Sequence, residues 1–210
     1  NIGDWSSDVC SSDLGVCVAI PPVEVTPVAT GAALASATVT VHDATGTEVG
    51  SGTTGAAGAF EITLNKTGTA PYMLHVVKDD ISLFALAAQA QSASVNINQL
   101  SDAVVALVSP SGTSEDLVAR LQSGAAAPSA AQIESGKALV NAGIAPVKAA
   151  LNTTKDIFTE PFATNGTGLD TLLDSVSVNK IAQSAGSSGS ANVQLTLNVA
   201  TDPLNAQSST

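Results

Sequence analysis

Short runs of alternating apolar and polar residues fill the first half of this chain, and clusters of Gly, Pro, Asn and Asp separate them about every ten residues. Side chains of a strand point alternately to its two faces, so each run predicts a strand with one buried face. The runs span residues 23–28, 37–41, 47–49, 60–64, 72–77, 81–84 and 94–97. Short strands at this spacing favour an antiparallel β-sandwich over a parallel sheet.

Prolines surround the first of these runs. Pro21 and Pro22 precede it, and Pro27 lies within it. Because proline has no backbone N–H to donate to a sheet, we expect this run to be an edge strand or a lead-in to the sheet.

The periodicity changes at Gln99, where apolar residues adopt the spacing of helices. The first helical segment ends before Pro110 and Gly112. A second helix is predicted after a capping box at residues 113–116, in which the Thr and Asp side chains answer backbone N–H groups, and Gly124 should end it.

A longer helical segment follows another capping box at Ser129 and Gln132. Its apolar stripe consists of Ile133, Val140, Ile144, Val147 and Leu151. We expect Gly143 and Pro146 to kink or split this helix, because proline removes a donor and clashes with the preceding turn. A last short helix is predicted to start near Thr167 and to carry Leu169, Leu172, Leu173 and Val176.

Alternation returns near the C-terminus, at residues 192–200. We expect this strand to pair with residues 175–181 as a β-hairpin across a Gly- and Ser-rich stretch, and residues 202–210 to be frayed. The predicted fold is therefore α+β: an N-terminal antiparallel sandwich, a small helical layer and a C-terminal hairpin. The predicted units are residues 15–98, 99–178 and 179–210, preceded by residues 1–14.

Composition excludes some classes of function. The chain has 7 Lys and Arg against 18 Asp and Glu, a formal net charge of −11. Nucleic-acid binding requires clustered cations, and these are scattered singly, so we expect no nucleic-acid partner. No run approaches the ~18 apolar residues of a membrane span. Abundant Ala, Thr, Ser and Gly are typical of secreted bacterial surface proteins, which predicts an extracellular or outer-surface location, with the signal segment lost upstream.

Residues 1–14 share none of these patterns. Their sequence, NIGDWSSDVCSSDL, resembles a translated sequencing adapter joined to a metagenomic gene fragment. A foreign segment carries no information about the native fold, and we expect this one to pack poorly and project from the sandwich. A disulfide between Cys10 and Cys17 would then be accidental. Cys17 itself is predicted to be a buried or unpaired thiol rather than a lipid-modified one.

Two later segments carry a family resemblance. Residues 34–46 read LASATVTVHDATG, and residues 52–62 read GTTGAAGAFEI. Together they resemble the carboxypeptidase regulatory-like domain, in which a strand and a turn precede a T-T-D-x-x-G-x-F element. Gly58 and Phe60 match this element, whereas Gly55 stands where Asp is usual, and Ser36 replaces a common Gly upstream.

The resemblance implies a seven-stranded, transthyretin-like or Ig-like sandwich that extends to Ile97 and is itself non-catalytic. Residues 162–174, FATNGTGLDTLLD, are similar to the segment that follows such modules in bacterial secreted lipoproteins. The resemblance therefore implies location and architecture more than activity.

One glycine motif has the spacing of a dinucleotide site. Gly50, Gly52 and Gly55 satisfy G-x-G-x-x-G. That chemistry needs a helix N-terminus after the loop to hold the pyrophosphate, and the next element here is the strand at Phe60. A hairpin turn is the favoured interpretation.

The only imidazoles belong to His42, beside Asp43, and His75. A hydrolytic triad needs a nucleophile, a base and an orienting group within mutual reach, and no sequence motif supplies them. Strand alternation places His42 opposite Val41, towards solvent. His75 is predicted to be a surface or hydrogen-bonded histidine, so the prediction contains no catalytic residue.

Three further groups of residues are weak candidates. Asn165, Asp170 and Asp174 carry calcium-type oxygens, but the two aspartates fall one helical turn apart rather than around a loop, which favours capping and solvated carboxylates. Tyr72 is the remaining candidate for an aromatic sugar-binding platform. Glycosylation sequons, which carry no meaning in a bacterial protein, begin at Asn65, Asn152 and Asn165.

These observations predict a non-catalytic structural or adhesive binding module of a bacterial secreted or cell-surface protein or lipoprotein, with no cofactor and no metal. We expect its partner to be another protein or a cell-envelope polymer. The alternative is an accessory domain of a secreted hydrolase or uptake system whose catalytic part lies outside the fragment. The oligomeric state is left open.

Overall fold

The computed structural model describes residues 23–27, 34–89, 94–161, 163–181 and 192–197. Nine strands and four helices lie in these ranges. Their order is β1 (Val23–Pro27), β2 (Thr38–His42), β3 (Glu48–Thr53), β4 (Phe60–Ile62), β5 (Tyr72–Lys78), β6 (Ile81–Ala87), β7 (Val95–Ile97), α1 (Gln99–Val108), α2 (Glu115–Gln122), α3 (Ala130–Ala150), α4 (Leu169–Asp174), β8 (Val176–Ile181) and β9 (Asn192–Leu197).

Four strands form an antiparallel sheet in the order β3-β2-β5-β6. Strand β2 pairs with β3 and β5, and its register against β3 shifts between Val41 and His42. Strand β6 extends to Ala87, three residues beyond the predicted end at Phe84. The added residues lack the β-branched side chains that mark strands, so their pairing with β5 is a tertiary effect.

Three strands form a second sheet in the order β4-β1-β7. Strand β1 pairs antiparallel with β4 and parallel with β7, where Val25 is opposite Val95. The expectation that β1 lies at an edge is therefore wrong. Pro27 is the last residue of β1, so its missing N–H leaves the middle of the ladder intact.

Side chains from both sheets share one apolar core. The four-stranded sheet contributes Val39, Val41, Val49, Leu74, Val76, Ala85 and Ala87, and the three-stranded sheet contributes Phe60, Ile62, Val95 and Ile97. Alternate residues of β2 are buried here, as the period-two pattern predicts.

The opposite face of the four-stranded sheet is covered by helices. This second core consists of Met73, Phe84, Leu86, Val105, Leu117, Leu121 and Ile133. Strands β5 and β6 are consequently buried on both faces, which explains why Tyr72, Met73 and Leu74 are buried in succession.

Helix α1 is the centre of the helical part. Residues 100–106 are all buried, the property of a helix surrounded on every side. Its far side faces a third apolar core. That core consists of Leu100, Ala103, Val104, Val140, Ile144, Ile157, Phe158, Leu169, Leu172, Leu173 and Val176.

The helix starts agree only in part with the capping predictions. The capping box at Ser129 and Gln132 is confirmed. The box predicted at residues 113–116 is wrong, because α2 is preceded by Ser114, whose side chain makes no cap hydrogen bond. Ser114 is buried, and its Oγ donates to the carbonyl of Asp102 at 3.0 Å, a contact with α1 that local sequence does not encode.

Helix α3 is continuous, so of the expected kink or split at Gly143 and Pro146, the split is wrong. Pro146 lies just before the last turn, and its missing N–H leaves the carbonyl of Ala142 without its helical donor. Ala142 itself is an exposed residue.

The remaining elements follow α4, which begins after Gly168 and ends at Asp174. Val176, predicted in this helix, belongs to β8. Strands β8 and β9 pair antiparallel, with Val176 opposite Leu197 and Ile181 opposite Asn192. Among the residues described, no helix is both long and apolar enough to cross a membrane.

Candidate functional site

His75 lies on β5, on the helix-facing side of the four-stranded sheet. Its Nε2 is 2.9 Å from Ser82 Oγ, and its ring stacks on Phe84 with centroids 4.1 Å apart. Burial lowers the pKa of His75, His42 lowers it further, and Glu115 acts in the opposite direction. His75 is thus a half-buried, hydrogen-bonded residue.

His42 lies on the same side of the sheet, one diagonal position from His75. It is half-buried and its Nδ1 is enclosed without a hydrogen-bond partner, so the expected solvent orientation is wrong. Helix α2 lies on this side of the sheet: its Leu117 and Leu121 belong to the same core as Met73, the residue opposite His42 on β5. Its Gln122 also donates from Nε2 to the Gly46 carbonyl in the β2–β3 turn, at 3.1 Å. Burial lowers the pKa of His42, while Glu48 and Asp43 act to raise it.

The Asp43 carboxylate organises the β2–β3 turn. Its Oδ1 accepts from the N–H of Thr45 at 2.9 Å, from the Thr45 hydroxyl at 2.6 Å and from the N–H of Thr47 at 3.1 Å. Its Oδ2 accepts from the N–H of Thr69 at 3.3 Å. Burial would raise the pKa of Asp43, but these hydrogen bonds outweigh burial and hold the pKa below its usual value. Asp43 therefore links two loops.

Tyr72 is buried, and its hydroxyl donates to the Gly68 carbonyl at 2.7 Å. It cannot present a flat ring to a sugar, so the candidate platform is ruled out. Phe60, Phe84 and Phe158 are buried as well, as their apolar patterns predict.

The G-x-G-x-x-G glycines lie mainly on a strand. Gly50 and Gly52 belong to β3, so the predicted turn begins only at Gly55. A Cβ on Gly50 would lie 2.9 Å from Cγ2 of Ile62. The first two glycines let β3 approach β4 closely, and no helix follows the motif to receive a phosphate.

The acidic residues near α4 do not converge. Asp170 is buried rather than solvated, which corrects the prediction, and its Oδ2 accepts from the N–H of Gly166 at 2.6 Å. Asn165 accepts from Thr167 within its own turn, and Asp174 is exposed. In the ranges that the structure covers, no group of three or more His, Cys, Asp or Glu side chains could hold a metal ion.

The sequon residues Asn65, Asn152 and Asn165 are exposed. Residues 1–14, Cys17 and residues 202–210 lie outside the described residues.

A cluster of side-chain amides at the β7–α1 junction was missed by sequence reasoning. Asn96 donates from Nδ2 to the carbonyls of Ile157 and Glu160, at 2.9 and 2.8 Å, and Asn98 donates to the same Ile157 carbonyl at 3.3 Å. Gln99 donates from Nε2 to the carbonyls of Leu173 and Val176. The signal in the sequence is the density of amides in the segment Asn96-Ile-Asn-Gln99, which is unusual beside a buried strand.

A groove with a volume of about 360 Å³ opens between β6, β7, α1 and α3. We call it the edge groove. It is lined by Ala85, Leu86, Ala87, Ala88, Gln89, Ser94, Val95, Ser101, Val104, Ala130, Glu134, Lys137, Phe158 and Thr159. Its walls are mainly apolar, and Lys137 and Glu134 form an ion pair of 3.0 Å at its rim. Neither His42 nor His75 lines it.

Comparison with known proteins gives one family match. Residues 24–98 match the family model described as bacterial Ig domain. No curated protein and no solved structure gives a significant match to the chain. The matched residues run from the second residue of β1 to the α1 cap, so they include the four-stranded and three-stranded sheets but neither the β8–β9 pair nor the helices.

Proposed function

From the bacterial Ig-like domain at residues 24–98, we propose that the chain is a non-catalytic structural or adhesive module of a bacterial secreted or cell-surface protein. Bacterial Ig domains are typical of such proteins, and this match is the observation that carries the proposal. The partner in this proposal is another protein or a cell-envelope polymer.

The packing supports a sandwich as the architecture of this module. The two sheets turn one face each towards a shared core, which contains Val39 and Val41 of one sheet and Ile62 and Ile97 of the other. Two opposed sheets with an apolar interior are the arrangement of Ig-like folds.

The carboxypeptidase regulatory-like assignment is a finer proposal than this match. Gly58, with a φ of 75°, forms the turn before β4, and Phe60 is buried in the shared core. Both residues that carry the resemblance thus have structural tasks that an Ig-like sandwich also needs, and the motif is compatible with either family.

The placement of the two histidines does not favour a hydrolytic role. His75 is stacked on Phe84, the His42 ring is partly enclosed, and both lie on the helix-covered face of the sheet, outside the edge groove. A nucleophile–base pair acts on a substrate held in a concave site.

The test is saturable binding of the full chain to bacterial envelope fractions, namely peptidoglycan, capsular polysaccharide and a cell-surface protein extract. We expect retention on one fraction that a heat-unfolded sample and an unrelated acidic protein do not show. Peptidase, glycosidase and esterase substrates should not be turned over. Turnover that disappears in the His75→Ala variant would contradict the proposal and favour a hydrolase.

A further inference from the structure

The loop before α4 places reactive groups around one peptide bond. Asn165 and Gly166 form the only Asn-Gly pair of the chain. Both residues are exposed, and Gly166 has a φ of 70°. The backbone nitrogen that follows an asparagine can attack the side-chain amide carbon and close a succinimide ring. A glycine at the second position favours this attack, because no side chain obstructs the approach of its nitrogen.

The nucleophile of this reaction, the Gly166 nitrogen, is hydrogen-bonded to a buried carboxylate. Asp170 is 2% exposed, and its Oδ2 accepts from the Gly166 N–H at 2.6 Å. Its Oδ1 is enclosed and has no hydrogen-bond partner among the described residues. A carboxylate held this close to the reacting N–H can accept the proton as a general base.

The electrophile, the side-chain amide of Asn165, is held and polarised by the residue after the glycine. Asn165 Oδ1 accepts from the N–H of Thr167 at 3.2 Å and from the Thr167 hydroxyl at 2.7 Å. These hydrogen bonds hold the amide against the backbone that follows it. They also stabilise the negative charge that develops on Oδ1 when the amide carbon is attacked, as donors do in an oxyanion hole.

Two further hydrogen bonds fix the loop against the start of α4. Thr171 Oγ1 donates to the Gly166 carbonyl at 2.7 Å, and the Asp170 N–H donates to the Thr167 carbonyl at 3.2 Å. Nucleophile, base and electrophile are consequently parts of one hydrogen-bonded loop. Such an arrangement lowers the barrier, because the entropy cost of bringing the reacting groups together is already met by folding.

We propose that Asn165 and Gly166 form a self-modification site, at which the fold promotes deamidation of Asn165 to aspartate and isoaspartate. The Gly166 nitrogen forms a bond to Cγ of Asn165 while its proton passes to Asp170. The bond from Cγ to Nδ2 then breaks, and Asp170 returns the proton so that ammonia leaves. One water molecule opens the succinimide at either carbonyl and leaves a carboxylate. The inference goes beyond the proposed function, because each chain reacts once and no external substrate is turned over.

Peptide mapping by mass spectrometry tests this inference on the purified full chain. Trypsin releases residues 156–180, in which the products at Asn165 are the succinimide, aspartate and isoaspartate. We expect Asn165 to react about tenfold or more faster near neutral pH in the folded chain than in the urea-unfolded chain, which has the same Asn-Gly pair without the carboxylate in position. Asn152 is exposed and followed by Thr, so it should stay unmodified in the same samples.

Asp170→Asn separates a base from a structural acceptor. Its amide oxygen still accepts from the Gly166 N–H but does not take the proton, so the rate in the folded chain should fall about tenfold or more. The pH profile should change as well. With a carboxylate base the rate should be nearly constant between about pH 6 and pH 8, where aspartates are ordinarily ionised, whereas Asp170→Asn should react about tenfold faster per pH unit, as expected for hydroxide.

Thr167 offers a second pair of variants at an exposed position. Thr167→Val removes the hydroxyl and keeps the backbone N–H, so the rate should fall about threefold to tenfold, less than for a buried oxyanion donor. Thr167→Ser keeps the hydroxyl and should react within about twofold of the unsubstituted chain. Circular dichroism and thermal melting establish that each variant is folded.

Three outcomes would overturn the inference: slower reaction of Asn165 in the folded than in the unfolded chain, an unchanged rate in a folded Asp170→Asn variant, or equal rates for Thr167→Val and Thr167→Ser. If Asp170→Asn does not fold, the two Thr167 variants and the comparison with the unfolded chain decide. None of these results depends on binding to envelope fractions, so the proposed function stands or fails separately.

Discussion

Asp43 shows how one buried carboxylate can hold two loops together. It is 7% exposed and is surrounded by donors from Thr45, Thr47 and Thr69. The charged carboxylate accepts hydrogen bonds from all of these donors. Protonation weakens these hydrogen bonds, so the stabilisation depends on the charge.

Asp43→Ala should reduce the free energy of unfolding by about 1–3 kcal/mol, because several donors lose their acceptor at once. Asp43→Asn should cost less, since one amide oxygen remains. Urea denaturation measures both, and Asp80→Asn in the exposed β5–β6 turn is the control. Equal stability of Asp43→Ala and the control would contradict the assigned role.

The Asp43 contribution should also depend on pH. The pKa of Asp43 is below its usual value in the folded state, so its stabilisation is present above about pH 4, the unfolded value, and is lost as the pH falls through the folded pKa. The urea midpoint of Asp43→Asn should therefore fall less between pH 5 and pH 2 than that of the unsubstituted chain.

The two histidines should make the stability depend on pH in a second range, higher than that of Asp43. Burial lowers the pKa of both His42 and His75, so the unfolded chain binds protons more readily. Stability should be full above about pH 6.5, the ordinary histidine value, and decline below it towards the folded pKa values. A His42→Asn, His75→Gln double variant should flatten this decline in urea midpoints. An unchanged slope would show that neither imidazole causes it.

At the scale of elements, the β7–α1 junction combines a cap with a tertiary link. Asn98 Oδ1 accepts from the N–H groups of Leu100 and Ser101, while its Nδ2 donates to the Ile157 carbonyl. Asn98→Ala should reduce the free energy of unfolding by about 2 kcal/mol or more, because it removes both the helix cap and the hydrogen bond to Ile157. Asn98→Ser keeps a capping oxygen and should cost less. Ser129→Ala, at the exposed α3 cap, should cost about 1 kcal/mol, and equal costs at both caps would exclude the tertiary link.

The β2–β3 turn and the end of α2 are in direct contact. Gly46 has a φ of 75°, and a Cβ there would lie 2.7 Å from Gln122 Cγ and 2.8 Å from Gln122 N. Gly124 has a φ of 86° and open space around it. Gly124→Ala should cost about 1–2 kcal/mol of backbone strain, and Gly46→Ala clearly more, because the contact adds to the strain. Similar losses in thermal melts would contradict the contact.

At the scale of the whole molecule, the helices complete the four-stranded sheet. Met73, Phe84 and Leu86 are at most 6% exposed because helices cover them. A fragment ending at residue 98, the predicted domain boundary, would expose these side chains to water. We expect the full chain to unfold in one transition, and the fragment to bind a hydrophobic dye and melt without a sharp transition. A fragment that melts like the full chain would show that residues 15–98 are an independent domain.

Local sequence determined the elements whose signals lie within a few residues. The alternation of β2 and β5, the capping box of α3 and the break at Gln99 all appear in the structure, because side-chain period and cap geometry depend on neighbours in the chain. Gly58, in the turn before β4, and Phe60, the first residue of β4, belong to the same class.

Only tertiary structure decided which elements meet. Pairing of β1 on both sides, burial of His42 beside α2 and the start of α2 at Ser114 depend on residues far apart in sequence. The edge groove exists because two sheets end beside α1 and α3. Such contacts form because they bury side chains from distant parts of the chain together. A short stretch of sequence does not show which distant residues it will pack against.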